Sequence, residues 1–358
     1  MKILGLHHIT LVCTNAQRTV DFYVKVLRLR MIKQTVNFDD PGSYHLYFGD
    51  SMASPGTAIT FFEWPHVPRG RAGIGGTHHF ALTVADEQGL LKWKRYLQDQ
   101  GIAVQGPYDR RYFRSIYFKD PDGVNLEIAT RGPGWLVDES ADLLGMSFKS
   151  APDNGEAASK YAEETWPEPV PVVTQDMALQ FGMHHITAIS SDIQRTDHFF
   201  REVLGMRLLK MTENFDQPGS AHWYWGVDEG KPGTLITYFE HKPGTARRVE
   251  MGAGLTHHFA LAVQDEAEQQ EWRQRLSLAG FRVTDIQNRD YFRSIYTNDP
   301  DGHIVELATV GPGFAIDEDL ADLGMSLQLP EWLEQHRPLI EARLKPLDVP
   351  LWEGFDEA

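Results

Sequence analysis

The chain has 358 residues, 42% hydrophobic and 23% charged, enough for two ordinary domains with sizeable cores. Its formal net charge of −16 argues against a polyanion-binding surface, so no nucleic-acid partner is expected. No apolar run approaches the about 18 residues of a membrane span, and a single cysteine, Cys13, with no signal-like start at 1–11, predicts a disulfide-free cytoplasmic protein.

A strand-like run at 6–13 opens the chain. Asn15 reads as the N-cap of a helix whose apolar face carries Val20, Phe22, Tyr23, Val26 and Leu27. The turn Asp39-Asp40-Pro41-Gly42 precedes a strand at 44–48, and Gly56 introduces another at 57–64. The plan then starts again, with a strand at 78–84, a helix at 87–100, a strand at 114–118, the turn Asp120-Pro121-Asp122-Gly123 and a strand at 124–130.

The whole unit recurs. Gly5-Leu6-His7-His8-Ile9-Thr10 returns as Gly182-Met183-His184-His185-Ile186-Thr187, and Thr77-His78-His79-Phe80 returns as Thr256-His257-His258-Phe259. Tyr112-Phe113-Arg114-Ser115-Ile116-Tyr117 comes back unchanged as Tyr291-Phe292-Arg293-Ser294-Ile295-Tyr296. The chain therefore divides into a first tandem pair at 1–150, a linker at 151–180 that is partly helical, a second tandem pair at 181–329, and a packing helix with a tail at 330–358. The order β-α-β-β-β occurs four times, which makes the fold class α+β with four βαβββ modules.

All four opening strands carry a His-His pair: His7/His8, His78/His79, His184/His185 and His257/His258. Neighbours on a strand point to opposite faces, so one histidine of each pair is expected to face a given interior. Four residues after the glycine that opens each last strand, Gly123 leads to Glu127 and Gly302 to Glu306, each in an apolar strand. A glutamate in that setting is costly to bury unless it is paired or ligates a metal. The same count in the other two modules gives Thr60 and Thr237, while Glu63 and Glu240 fall on the opposite face. The inventory per site is two histidines and one carboxylate, which leaves coordination positions open for Fe(II), or alternatively Mn(II). A structural zinc site would be closed by four N/S ligands, and no thiolate set exists here. His45 and His222 recur without a carboxylate partner and read as pocket or core residues.

With these motifs in hand, residues 4–329 resemble the vicinal oxygen chelate proteins, and within them the extradiol-type ring-cleaving dioxygenases that open hydroquinones. The resemblance is carried by Leu6-His7-His8-Ile9-Thr10, by the stretch from Asn37 to Asp50, and by Arg289 with Tyr291 to Tyr296 before Asp299-Pro300-Asp301-Gly302. It implies two half-barrel domains built from the four modules. It also implies metal ligands at His8, His258 and Glu306, with His7, Arg289 and Tyr296 around them as catalytic groups. Tyr296 and His7 would move protons, and Arg289 would stabilise negative charge. The implied partners are a small aromatic diol of hydroquinone or catechol type and O2, with a homo-oligomer compatible.

A second full set exists in His185, His79 and Glu127, with His184, Arg110 and Tyr117 around it. Two pairings are open: first module with fourth and second with third, or each half closing on itself. The resemblance favours the crossed pairing. Two other functions share the module. A glyoxalase-like isomerase normally takes a fourth ligand from the strand that here carries Thr60 and Thr237, and a non-catalytic binding protein of this fold would leave complete His/His/Glu sets unexplained.

Overall fold

Residues 5–13 alternate Ile9, Leu11 and Cys13 with His8, Thr10 and Val12, and all are buried, so this strand is covered on both faces. That is the environment of a curled sheet with a helix on one side and a filled concavity on the other. In the computed structural model, which describes residues 1–150, 161–179, 181–217, 219–242 and 244–355, this arrangement occurs four times.

The first module runs through strand Gly5–Cys13, helix Ala16–Val20 continued by the wider π-helical turn Asp21–Val26, and strands Arg30–Asn37, Asp40–Gly49 and Ala58–Glu63. The third repeats it at Met183–Ser190, Ile193–Asp197 with His198–Val203, Arg207–Glu213, Ala221–Gly226 and Leu235–Glu240. The second and fourth modules carry full helices, Glu87–Asp99 and Glu266–Leu278, between opening strands Thr77–Val84 and Thr256–Val263 and closing strands Asn125–Pro133 and Ile304–Pro312. Asn15 caps its helix as expected, its side chain accepting from Arg18 N at 2.9 Å, and Asp86 and Asp265 do the same for the long helices.

Two expectations are corrected. The turn before the third strand occupies Phe38 and Asp39 only, and Asp40, Pro41 and Gly42 already belong to strand Asp40–Gly49. The strand Arg30–Asn37 is not evident in the sequence, because Lys33 breaks its apolar pattern. Lys33 is wholly buried, yet its ammonium is matched by Asp317 and Glu318, each at 2.5 Å, and lies over the Tyr291 ring. A buried cation so paired breaks the hydrophobic pattern without breaking the strand. Lys210 repeats the device with Asp138 and Glu139.

These pairs already show which modules meet: Lys33 of the first binds residues that follow the fourth, and Lys210 of the third binds residues that follow the second. The sheets agree. One eight-stranded sheet holds the first and fourth modules, and one nine-stranded sheet holds the second and third. Each seam is an antiparallel pair of opening strands, Gly5–Cys13 with Thr256–Val263, and Met183–Ser190 with Thr77–Val84.

The linker's helical character falls in part on 151–160, outside the described residues; beyond them Val170, Val173, Met177 and Leu179 are buried, and Met177 O accepts from Trp93 Nε1 at 2.6 Å. The predicted tail helix is two short ones, Glu331–Glu334 and Arg337–Glu341, with Leu333, Ile340 and Leu344 buried. No helix among the described residues is long and apolar enough to cross a membrane.

Candidate metal centres

The two seams place histidines by a shared irregularity. In the first seam the register skips between Leu6 and His8 and between Thr10 and Leu11, so His7 on one strand and His257 on the other are bulged. The second seam skips at His184 and His78 in the same way. A bulge breaks strict alternation. The two rings of each pair meet Nδ1 to Nδ1, at 2.8 Å for His7 and His8 and 2.8 Å for His257 and His258. One histidine of each pair, His8 and His258 here, joins the triad.

His8, His258 and Glu306 converge. His8 Nε2 and His258 Nε2 are 3.4 Å apart and lie 3.3 and 3.0 Å from Glu306 Oε2. All three residues are buried, and Glu306 Oε2 has no hydrogen-bond partner among the described residues. Glu306 Oε1 accepts from Ser294 Oγ at 2.5 Å. Burial would raise this carboxyl, but the imidazoles of His8 and His258 hold it well below the usual carboxylate range. Burial lowers His258 against the pull of Glu306. An anionic carboxylate is the form in which this group ligates.

The tautomer follows from the hydrogen bonds. His7 Nε2 lies 3.1 Å from the Thr309 carbonyl, which can only accept, so Nε2 carries the proton. His7 Nδ1 then accepts from His8 Nδ1–H, and His8 Nε2 is left with its lone pair aimed at Glu306 Oε2 and His258 Nε2. Lone pairs and a carboxylate oxygen held about 3 Å apart in a dry site repel one another unless a cation sits among them. The residues present thus fit a metal ion.

A cavity of about 250 Å³ opens in front of this triad, walled by Tyr47, Phe62, Trp64, Phe292, Tyr296, His45 and His257, with Arg289 and Asp39 at its edge. Engineered cavities of about 150 Å³ accept benzene, so a monocyclic aromatic fits. Tyr296 stands opposite Glu306 in the strand pairing, and its hydroxyl accepts from Arg289 Nε at 3.1 Å. Burial pushes the Tyr296 phenol up, as does Glu306, while Arg289 pulls it down. Arg289 is carried on a tight turn whose next residue, Asp290, has a positive φ of 67°. It also binds Gln287 and Asp39.

His7 does not line the cavity; its Nδ1 meets His8 Nδ1 and its Nε2 meets the Thr309 carbonyl. His257 lines it instead, and so does Trp64, which sits 5.7 Å from the His257 ring. Sequence reasoning missed Trp64, whose only signal is its place one residue past strand Ala58–Glu63. His45 lines the cavity and bonds Thr60 Oγ1 at 2.9 Å and Tyr47 Oη at 3.0 Å. Thr60 stands at the position that Glu306 holds in the fourth module, and its hydroxyl is taken by Thr10 and His45. Glu63 and Glu240 face away and accept from the helix-opening amides of Ala16 and Ile193, at 2.8 and 3.1 Å.

The second set assembles likewise. His79 Nε2 and His185 Nε2 are 3.2 Å apart and lie 2.9 and 3.1 Å from Glu127 Oε2, with His78 and His184 behind them. Arg110 and Tyr117 stand beside it, 3.3 Å apart. Among the described residues these two triads are the groups able to hold a metal ion.

The sequence profile of the Glyoxalase/Bleomycin resistance protein/Dioxygenase superfamily matches residues 5–128 and 182–307. MhqO of Bacillus subtilis, whose name assigns it as a ring-cleaving dioxygenase, is 33% identical over 97% of this chain and 98% of its own. The chlorohydroquinone/hydroquinone 1,2-dioxygenase of Sphingobium indicum is 29% identical over 93% of both chains. A crystal structure of a Bacillus subtilis protein assigned as a dioxygenase superposes with a TM-score of 0.78 at 31% identity, covering 98% of this chain and 99% of that one.

Proposed function

Because the chain belongs to the Glyoxalase/Bleomycin resistance protein/Dioxygenase superfamily, we propose that it is a ring-cleaving dioxygenase that opens hydroquinone- or catechol-type diols with O2 at the triad His8, His258 and Glu306. The observation that carries this reading is the pairing of an open-sided two-histidine, one-carboxylate triad with an aromatic-walled cavity large enough for a single ring. Near-full-length similarity to proteins named as ring-cleaving and hydroquinone dioxygenases supports it.

Fe(II), or alternatively Mn(II), held by His8, His258 and Glu306 would supply the redox chemistry that lets O2 react with a closed-shell diol. The chain's own residues do the rest. Phe62, Trp64 and Phe292 hold the ring by its faces and keep water out. Arg289, fixed by Asp39 and Gln287, places a permanent cation where charge develops on the oxygens of the opening ring. Tyr296, kept protonated by burial, donates its phenolic proton and takes one back through the same oxygen. His7 holds His8 in the one tautomer that leaves Nε2 free.

The test is anaerobic reconstitution of the apoprotein with Fe(II) or Mn(II), followed by O2 uptake with a panel of hydroquinones and catechols. Uptake of one O2 per diol is expected. No uptake with any diol, together with turnover of a glutathione hemithioacetal, would replace this reading by an isomerase, although Thr60 and Thr237 stand where that chemistry takes its fourth ligand.

A further inference from the structure

The second triad has the ligands of the first but little of its space; a neighbouring cavity of about 160 Å³ reaches His78 and His79 from the side of Arg69 and Lys119 and is lined by neither Glu127 nor His185. The cavity before His79 and His185 measures about 20 Å³. That is room for one water and for no organic ring. Arg110 closes it. The guanidinium is gripped by both oxygens of Asp216 at 2.9 Å and lies over the rings of Tyr108 and Tyr117 at 5.0 and 5.4 Å. In the first site the equivalent arginine has Gln287 where Tyr108 stands, and a single 3.3 Å contact with Asp39 where Asp216 makes two.

A closed pocket would make these ligands surplus unless they hold something. Glu127 is fully buried, and neither of its carboxylate oxygens has a hydrogen-bond partner among the described residues. Even Ser115 Oγ, whose counterpart Ser294 bonds Glu306, is unpartnered. An anion buried in that condition is severely destabilising without a compensating cation. The ligands also come from two modules: His79 and Glu127 from the second, His185 from the third, facing one another across the seam.

We propose that His79, Glu127 and His185 hold a second divalent metal ion, closed to organic substrates by the Arg110–Asp216 clasp, that fastens the second module to the third. The ion takes at most one water beside its protein ligands. This inference does not rest on ring cleavage, which is read separately as O2 uptake.

Co(II) is the probe, because its visible absorption reports its ligands. Apoprotein is loaded with Co(II), freed of excess and analysed for metal and protein. The wild-type chain is expected to retain about two ions, and Glu306→Gln and Glu127→Gln about one each. Added 4-nitrocatechol should shift the Co(II) bands of the Glu127→Gln protein and leave those of the Glu306→Gln protein unchanged. A wild-type count near one, which needs no variant to fold, overturns the second ion. A shift in the Glu306→Gln protein as large as in the other overturns the closure.

Discussion

The two triads of this chain share their motifs, their bulged strands and their spacing to within a few tenths of an ångström, yet one faces about 250 Å³ and the other about 20 Å³. The difference lies outside the ligands. Trp64 stands where the second site has His241, and Gln287 stands where it has Tyr108. Asp39 touches its arginine once where Asp216 does so twice. Ligand sets determine whether a metal can bind, whereas the residues in front of them determine whether anything can reach it.

The comparison breaks most visibly at the carboxylates. Glu306→Gln should take O2 uptake with hydroquinone to background, since it removes the anionic ligand from the open triad; retained turnover would move the chemistry elsewhere. Next in size, Tyr296→Phe is expected to lower kcat by about 10²-fold while substrate affinity changes little, as loss of a proton donor does. Its counterpart Tyr117→Phe should move kcat far less, and steady-state kinetics on both variants separate the sites. A smaller effect is expected at His7→Phe, which frees His8 to change tautomer: metal affinity at the first site should fall by roughly 10- to 100-fold, read by titration with a competing chelator.

The smallest effect tests where the halves are alike. Asp120 and Asp299 sit in matching turns, accept backbone N–H bonds, and are pushed up to about 6 in both, chiefly by burial. Between about pH 4 and 6 the unfolded chain gives up protons that the folded one keeps. This contribution is full below the ordinary aspartate value and is lost as pH rises through the folded one, at most ~3 kcal/mol per group. In urea unfolding across that range, the stability of the wild-type chain relative to Asp120→Asn, and relative to Asp299→Asn, should fall as pH rises, to a similar degree for the two.

Much of this was legible in the sequence. The repeated His-His pairs and the glutamates four residues past Gly123 and Gly302 could be found because strands have a period of two and because each of those glycines, at φ 92° and 93°, fixes where the last strand begins. What could not be read depends on contacts between distant segments. Strand Arg30–Asn37 is hidden by Lys33, whose partners lie near the end of the fourth module. The bulges that bring the two histidines of each pair into contact arise from strand register, and no local pattern records them. The closed state of the second pocket is set by Asp216 meeting Arg110 across the same sheet, a pairing that matching copies in the sequence present as identical to that of Asp39 and Arg289.

The most direct test of the account is isotopic. The chain, reconstituted anaerobically with Fe(II) or Mn(II), is given hydroquinone under ¹⁸O₂ and the product is analysed by mass spectrometry. Ring cleavage at the open triad predicts a ring-opened product in which both added oxygen atoms come from the labelled gas, formed by the wild-type chain and lost in Glu306→Gln. A product with its ring intact, or equal turnover in Glu306→Gln, would contradict it.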